Sequence, residues 1–234
     1  MNKTSSFPTL RLSDFKLIAF DMDSTLIDIE TVDEIADIAG CGPEVAAITE
    51  ATMRGEITDY KDSLRRRVAL LRGVPLSALQ AVYDQRLHLN PGAETLIGAC
   101  KKAGLRVVLL SGGFTFFTDR LRDRLKLDDT RSNVLEIEDG RLTGRMLPQP
   151  WGDICDGEAK KDKLLECCRA MGISPAQAIA VGDGANDLPM MRVAGLSVAY
   201  HAKPTVREAA MLAIDDRLDR LLDFLQPAGP LSAG

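Results

Sequence analysis

The sequence predicts an α/β fold in which a doubly wound, mostly parallel sheet carries an inserted helical cap domain. Three observations lead there. Short, continuously apolar runs stop abruptly at polar or glycine-rich loops, as strands covered on both faces do. Helix-like sequence separates each of these runs from the next, the alternation that builds a parallel sheet with helices on either side. One long stretch, residues 28–90, has no strand-like run and reads as helices punctuated by Gly and Pro.

In chain order, the first run covers 16–20 and ends at Asp21. Four helical stretches follow. Thr31-x-x-Glu34 has the form of a capping box ahead of 32–39, and Pro43 takes a first-turn position before 44–53. Tyr60, Leu64, Val68 and Leu71 recur at helical spacing, and Ser77 is placed to cap 78–87. These helices define an insertion at 28–90, with the core made by 1–27 and 91–234. Pro91-Gly92 opens a helix over 93–103 and Gly104 closes it. The second run, 105–110, ends in Ser111-Gly112-Gly113, expected as a strand-to-helix turn. Residues 134–138 and 141–143 flank Asp139-Gly140, a tight-turn dipeptide, and predict a separate hairpin. Lys160 and Lys161 begin a helix; Ser174-Pro175 leads into the third run, 178–181, which ends in Gly182-Asp183-Gly184; the fourth run is 196–200. The core is therefore Rossmann-like. Ligands of such sheets bind outside the carboxyl ends of the strands, so Asp21, Ser111 and Asp183 are expected to converge in space.

Composition narrows the function. The chain has 234 residues, 45% hydrophobic and 27% charged, with no apolar run approaching membrane-spanning length. Its formal net charge is −5, which argues against a partner made of nucleic acid and leaves room for a small anion. Cys41, Cys100, Cys155, Cys167 and Cys168 lack metal-binding spacing and read as free thiols in a reducing compartment. The first thirteen residues lack a secretory pattern, so the cytoplasm is the expected location. The two histidines, His88 and His201, are far apart in sequence and disfavour a zinc site. Apolar positions on the cap helices suit a core or a partner equally, which leaves the oligomeric state open.

Asp21-Met22-Asp23-Ser24-Thr25 follows the first strand directly. Two carboxylates this close repel, and a cation or a shared proton must offset them; the same pair can also cap a following helix. Asp183-Gly184-Ala185-Asn186-Asp187 adds two more carboxylates at another strand end, oxygen ligands of the kind Mg²⁺ takes, although Gly-Asp-Gly is also an ordinary turn. Ser111-Gly112-Gly113 offers a hydroxyl and amides to an anion without forming a P-loop. Lys160 and Lys161 can each bring an ammonium to that anion or remain solvated.

Asp, Ser, Lys and Asp in this order, at three strand ends and one helix, resemble the haloacid dehalogenase superfamily of phosphohydrolases, over about residues 16–214. Glu30-Thr31-x-Asp33-Glu34-Ile35-Ala36 and Ser111-Gly112-Gly113-Phe114 resemble its phosphoserine-hydrolysing branch. The resemblance implies a Mg²⁺-dependent hydrolase of a small phosphomonoester, phosphoserine, as in serine biosynthesis. It implies Asp21 as nucleophile, forming an aspartyl phosphate, and Asp23 as general acid and base. Metal contacts would come from Asp21, the backbone carbonyl of Asp23, Asp183 and, in the inner or outer sphere, Asp187. Ser111, Gly112, Lys160 and Asn186 would hold the phosphoryl group, Glu30 the substrate ammonium and Arg67 its carboxylate, with Met53 and Tyr60 shielding the site. The family usually has Phe where Tyr60 stands, and the link 145–157 looks longer than its family counterpart, which keeps Lys160 and Lys161 both open. The same core also suits a phosphotransferase, for example from phosphoserine to homoserine, or a phosphatase of another small phosphomonoester. A phospho-accepting receiver is disfavoured because it has no use for a lid. A chain of this length is expected to lack the regulatory domain that some members carry ahead of the core.

Overall fold

The structure, a computed structural model, describes residues 10–54 and 56–225. Strand β1 is Leu17–Phe20, with all four residues buried. Helices α1 (Thr31–Ala39), α2 (Gly42–Met53), α3 (Tyr60–Leu70) and α4 (Leu76–Gln85) then intervene before α5 (Ala93–Lys102) and β2 (Arg106–Phe114). The chain continues through α6 (Thr115–Leu125), β3 (Asp129–Glu138), β4 (Arg141–Leu147), α7 (Gly157–Met171) and β5 (Ala178–Gly182). It finishes with α8 (Leu188–Val193), β6 (Leu196–Tyr200), α9 (Pro204–Ala209), β7 (Leu212–Ile214) and α10 (Leu221–Phe224). Among the described residues the strands form one seven-stranded sheet in the order β4-β3-β2-β1-β5-β6-β7, parallel except for β4.

Side-chain alternation along the strands gives the sheet two apolar faces. Ile18, Phe20, Val107, Leu109, Ile179 and Val181 belong to one buried cluster, with Leu96 of α5 and Phe117 of α6. Leu17, Ala19, Val108, Leu110, Ala178 and Ala180 belong to the other, with Leu164 of α7 and Met190 of α8. Full burial of each large aliphatic side chain contributes about 1.5–3 kcal/mol, so the central strands are the most firmly held part of the molecule. β1 lies between β2 and β5, with Leu17 opposite both Arg106 and Ala178. The Asp21 N–H extends this pairing by donating to the Val181 carbonyl (2.9 Å). The first acidic residue is thereby fixed at the middle of the sheet's carboxyl edge.

Four expectations are corrected. β2 continues through Ser111, Gly112 and Gly113 to Phe114, with an irregular register against β3, so the helix starts only at Thr115. The hairpin is no separate unit. β3 pairs parallel with β2 through Asn133 and then antiparallel with β4, around a turn in which Asp139 (φ 50°) and Gly140 (φ 73°) adopt the left-handed conformations such a turn requires. Thr31 is the first helical residue of α1 and not its cap; its N–H donates to Asp23 Oδ1 (2.9 Å), so a residue of the preceding loop satisfies the helix end. Ser77 lies inside α4, which Pro75 precedes as the capping residue.

The four-helix segment leaves and rejoins the core through a paired neck. Asp28 N–H donates to the His88 carbonyl (3.0 Å) and Asn90 N–H to the Leu26 carbonyl (3.0 Å). The Asn90 side-chain amide donates to the carbonyls of Thr25 and Ile27, both at 2.9 Å. Among the described residues no helix is long and apolar enough to cross a membrane.

Candidate active site

The loop after β1 folds back on itself. Ser24 takes a left-handed conformation (φ 56°), rare for a residue with a side chain, and its hydroxyl donates to Glu30 Oε1 (2.7 Å). Together with the bond from Thr31 to Asp23, this holds Asp21, Asp23 and Glu30 around one opening. At the end of β5, Thr25 Oγ1 donates to Asp183 Oδ1 (3.1 Å), linking the two acidic loops.

Lys160 reaches this cluster from the first turn of α7. That helix is phased by Asp156, whose side chain accepts the Ala159 N–H (2.9 Å). Fully buried, the Lys160 ammonium donates to Asp21 Oδ1 and Asp187 Oδ1, each at 2.7 Å. The other oxygen of Asp187 accepts the backbone N–H groups of Asp183 (3.2 Å) and Gly184 (3.1 Å). Both oxygens of Asp187 are thus engaged in holding Lys160 and the loop. Lys161 turns away to an ion pair with Glu158, so Lys160 is the lysine that meets the carboxylates.

One ammonium does not balance the acids gathered here. Carboxylate oxygens of Asp21, Asp183 and Asp187 lie within 4.8 Å of one another. Burial, then Asp187, pushes the Asp21 carboxyl well above the usual carboxylate range despite Lys160. Burial, then the Asp187 and Glu30 charges, pushes Asp183 up to about 7. Burial, then Glu30, pushes Asp23 up to about 8. The Lys160 ammonium is held well above its ordinary range by Asp187 and Asp21, which outweigh its burial. An all-oxygen donor set with surplus negative charge fits a hard divalent cation.

Above the cluster lies a cleft of about 280 Å³, lined among others by Asp21, Asp23, Glu30, Tyr60, Arg67 and Gly112. Gly113, Asp183 and Asn186 also line it. Ser111 is buried beside it and accepts the Gly113 N–H on its hydroxyl (2.8 Å). Tyr60 presses its hydroxyl onto β2, where a Cβ added to Gly112 would fall 1.9 Å from that oxygen. Burial raises the Tyr60 hydroxyl above its ordinary range, so it stays protonated. A larger hollow of about 560 Å³, between α1 and α4, is lined by Ile38, Val74 and Ala78 with Arg72 as its only charge, and lacks any group of acids.

The expected residues Asp21, Asp23, Glu30, Tyr60, Arg67, Ser111, Gly112, Lys160, Asp183, Asn186 and Asp187 thus come together in or directly beneath one cleft. Met53 ends α2, and its side chain lies outside the described residues. Sequence reasoning missed three supporting groups. Ser24 and Thr25 lie inside the first motif, where their hydroxyls have no periodic signal. Asn133, buried on β3, donates to the Gly112 carbonyl (2.7 Å) and accepts the Cys155 N–H (2.8 Å), and a lone Asn in a polar stretch announces nothing.

Comparison with known proteins gives the family and the similar folds. A family model for haloacid dehalogenase-like hydrolases matches residues 18–192. The chain is 71% identical over 220 residues to a phosphoserine phosphatase of Polaromonas sp. (strain JS666), covering 94% of this chain and 93% of that protein. Its fold superposes with a TM-score of 0.82 and 38% identity on a phospho-aspartyl intermediate analogue of phosphoserine phosphatase, covering 91% of this chain and 99% of the other. A substrate-bound phosphoserine phosphatase complex matches with the same TM-score, 0.82, at 37% identity and with 91% and 99% coverage.

Proposed function

The chain belongs to the haloacid dehalogenase-like hydrolase family, and from that premise we propose that it hydrolyses O-phospho-L-serine to L-serine and phosphate. The observation that carries the reading is the stack of two charge systems. Asp21, at the end of the central strand, is bound to Lys160 beside Asp183, and Glu30 and Arg67 line the cleft directly above. The lower group suits a phosphoryl centre; the upper pair suits a zwitterionic amino-acid head, with Arg67 offering a planar fork to its carboxylate.

Asp21 attacks phosphorus, the bond from phosphorus to the serine oxygen breaks, and Asp23 gives its proton to that oxygen. Burial keeps the Asp23 carboxyl up near 8, which favours the protonated form that this step consumes. In the second half Asp23 takes a proton from water as the water oxygen attacks phosphorus. The bond to Asp21 then breaks and phosphate leaves. Lys160, the Gly112 amide, Ser111 and Asn186 hold the phosphoryl oxygens and offset the charge spread over them. Mg²⁺ is the proposed cation: Asp21, Asp183 and the Asp23 backbone carbonyl would hold it, and it would add positive charge against those oxygens. Asp187, with both oxygens engaged, acts by holding Lys160 and the loop.

Residues 28–90 act as a lid that selects substrate over a core of 1–27 and 91–234, with Tyr60 and Met53 contributing to its closed face. The five cysteines are unpaired, in keeping with the reducing cytoplasm as the place of action.

The test is phosphate release from phosphoserine, phosphothreonine and phosphoglycerate, with and without Mg²⁺ and with homoserine added. Mg²⁺-dependent release from phosphoserine ahead of the others is expected, and phosphoryl transfer to homoserine in place of release overturns the reading. Asp21→Asn should abolish turnover while the circular dichroism spectrum is unchanged; substantial residual turnover removes Asp21 from the nucleophile's role.

A further inference from the structure

Arg67 and Asp33 hold complementary buried groups that lack partners. Arg67 Nε and Asp33 Oδ1 are both shielded from solvent without a hydrogen bond, and the Arg67 side chain has no hydrogen bond or ion pair among the described residues. Orphaned buried donors and acceptors are costly and uncommon in folded proteins. Arg67 belongs to α3, Asp33 to the first turn of α1, and Glu30 stands just ahead of that turn, three residues from Asp33 and on the same side of the helix. Burial raises the Glu30 and Asp33 carboxyls above the usual carboxylate range, and the Arg67 charge opposes that rise at each, so it acts on both.

We propose that Asp33 is a positioning residue for Arg67: it gives Nε an acceptor other than Glu30 and leaves the two terminal nitrogens of the guanidinium to the substrate carboxylate. The inference rests on the head-group reading above. A zwitterion needs Glu30 and Arg67 apart, because a direct pair between them would consume both the ammonium and the carboxylate subsite. Ser24 already ties down Glu30 (2.7 Å), and Asp33 is the corresponding tie for Arg67. Closure of Nε–H onto Oδ1 satisfies both orphans with one bond and fixes the plane of the fork.

The experiment compares kcat and KM for phosphoserine and phosphoethanolamine, which keeps the ammonium and lacks the carboxylate. In Asp33→Asn the ratio of kcat/KM for phosphoserine to that for phosphoethanolamine should fall about tenfold, the size of one hydrogen bond to a charged group, through KM more than kcat. Asp33→Glu, which retains the charge, should restore part of the ratio. In the Arg67→Ala background, Asp33→Asn should give no further fall. Equal loss on both substrates, with a lower melting temperature, makes Asp33 merely structural and overturns the proposal; so does a further fall in the double variant. An unchanged ratio in Arg67→Ala alone overturns the head-group reading itself, a result separately visible from any failure of Asp33.

Discussion

Gly112 and Tyr60 meet so closely that no side chain fits at Gly112 while the Tyr60 hydroxyl is in place. A methyl group at Gly112 would stand 1.9 Å from the Tyr60 hydroxyl, whereas the next nearest atom, the ring carbon bearing it, is at 3.1 Å. Gly112→Ala should therefore lower kcat/KM for phosphoserine by about tenfold, the cost of overpacking a filled site, and adding Tyr60→Phe should recover most of the loss. A double variant no better than Gly112→Ala alone would refute the steric account in steady-state assays. Lys160 makes a second case. Lys160→Met strands Asp21 and Asp187 as buried, unpaired charges and should destabilise the fold by about 3–5 kcal/mol, measured by denaturant unfolding. Lys161→Met, which breaks an ion pair with exposed Glu158, should change the unfolding free energy by only a small fraction of what Lys160→Met does. The sequence leaves the two lysines equivalent because adjacent helical residues differ only in direction. That direction is set by the Asp156 cap and by acids 139 and 27 residues away from Lys160 in the chain.

At the scale of elements, what the sequence displays is burial on two faces. β1, β5, β6 and the first part of β2 are runs of apolar residues and announce themselves. β3 does not, because Asp129, Thr130, Arg131, Ser132 and Asn133 are polar and the strand is recognisable only where its apolar half meets the hairpin. β7 spans Leu212–Ile214, too short to show any period. The extension of β2 is hidden for a related reason: Ser111-Gly112-Gly113 has turn-like composition, yet Asn133 holds the Gly112 carbonyl from the neighbouring strand. Asn133 therefore joins an invisible element to the visible site. Asn133→Ala orphans the Gly112 carbonyl and the Cys155 N–H and should cost about 2 kcal/mol or more in unfolding free energy, with a fall in kcat as the Gly112 carbonyl, and with it this stretch of β2, loses its anchor. Full activity and unchanged stability would show that water replaces both bonds.

For the whole molecule, the fold works against its own charge. A chain of net charge −5 brings Asp21, Asp23, Glu30, Asp183 and Asp187 around one cleft, where Lys160 and Arg67 offset part of their charge. Like charges held together in a low-dielectric site destabilise the folded state relative to a chain in which they separate, so a divalent cation that binds only the folded site must stabilise it. At about a hundredfold excess over its dissociation constant, Mg²⁺ should raise the melting temperature by about 5–10 °C for a protein of this size. Asp183→Asn separates the two contributions. It removes one of the crowded charges and leaves an amide oxygen able to accept from Thr25, so without a cation this variant should melt above the wild type. It also removes a cation ligand, so most of the Mg²⁺-induced rise should vanish. The two thermal shifts are opposed in sign, and no general loosening of the fold produces that pair. A variant that melts lower than the wild type in chelator would overturn the charge-crowding account, and one that keeps the full response to Mg²⁺ would place the cation elsewhere.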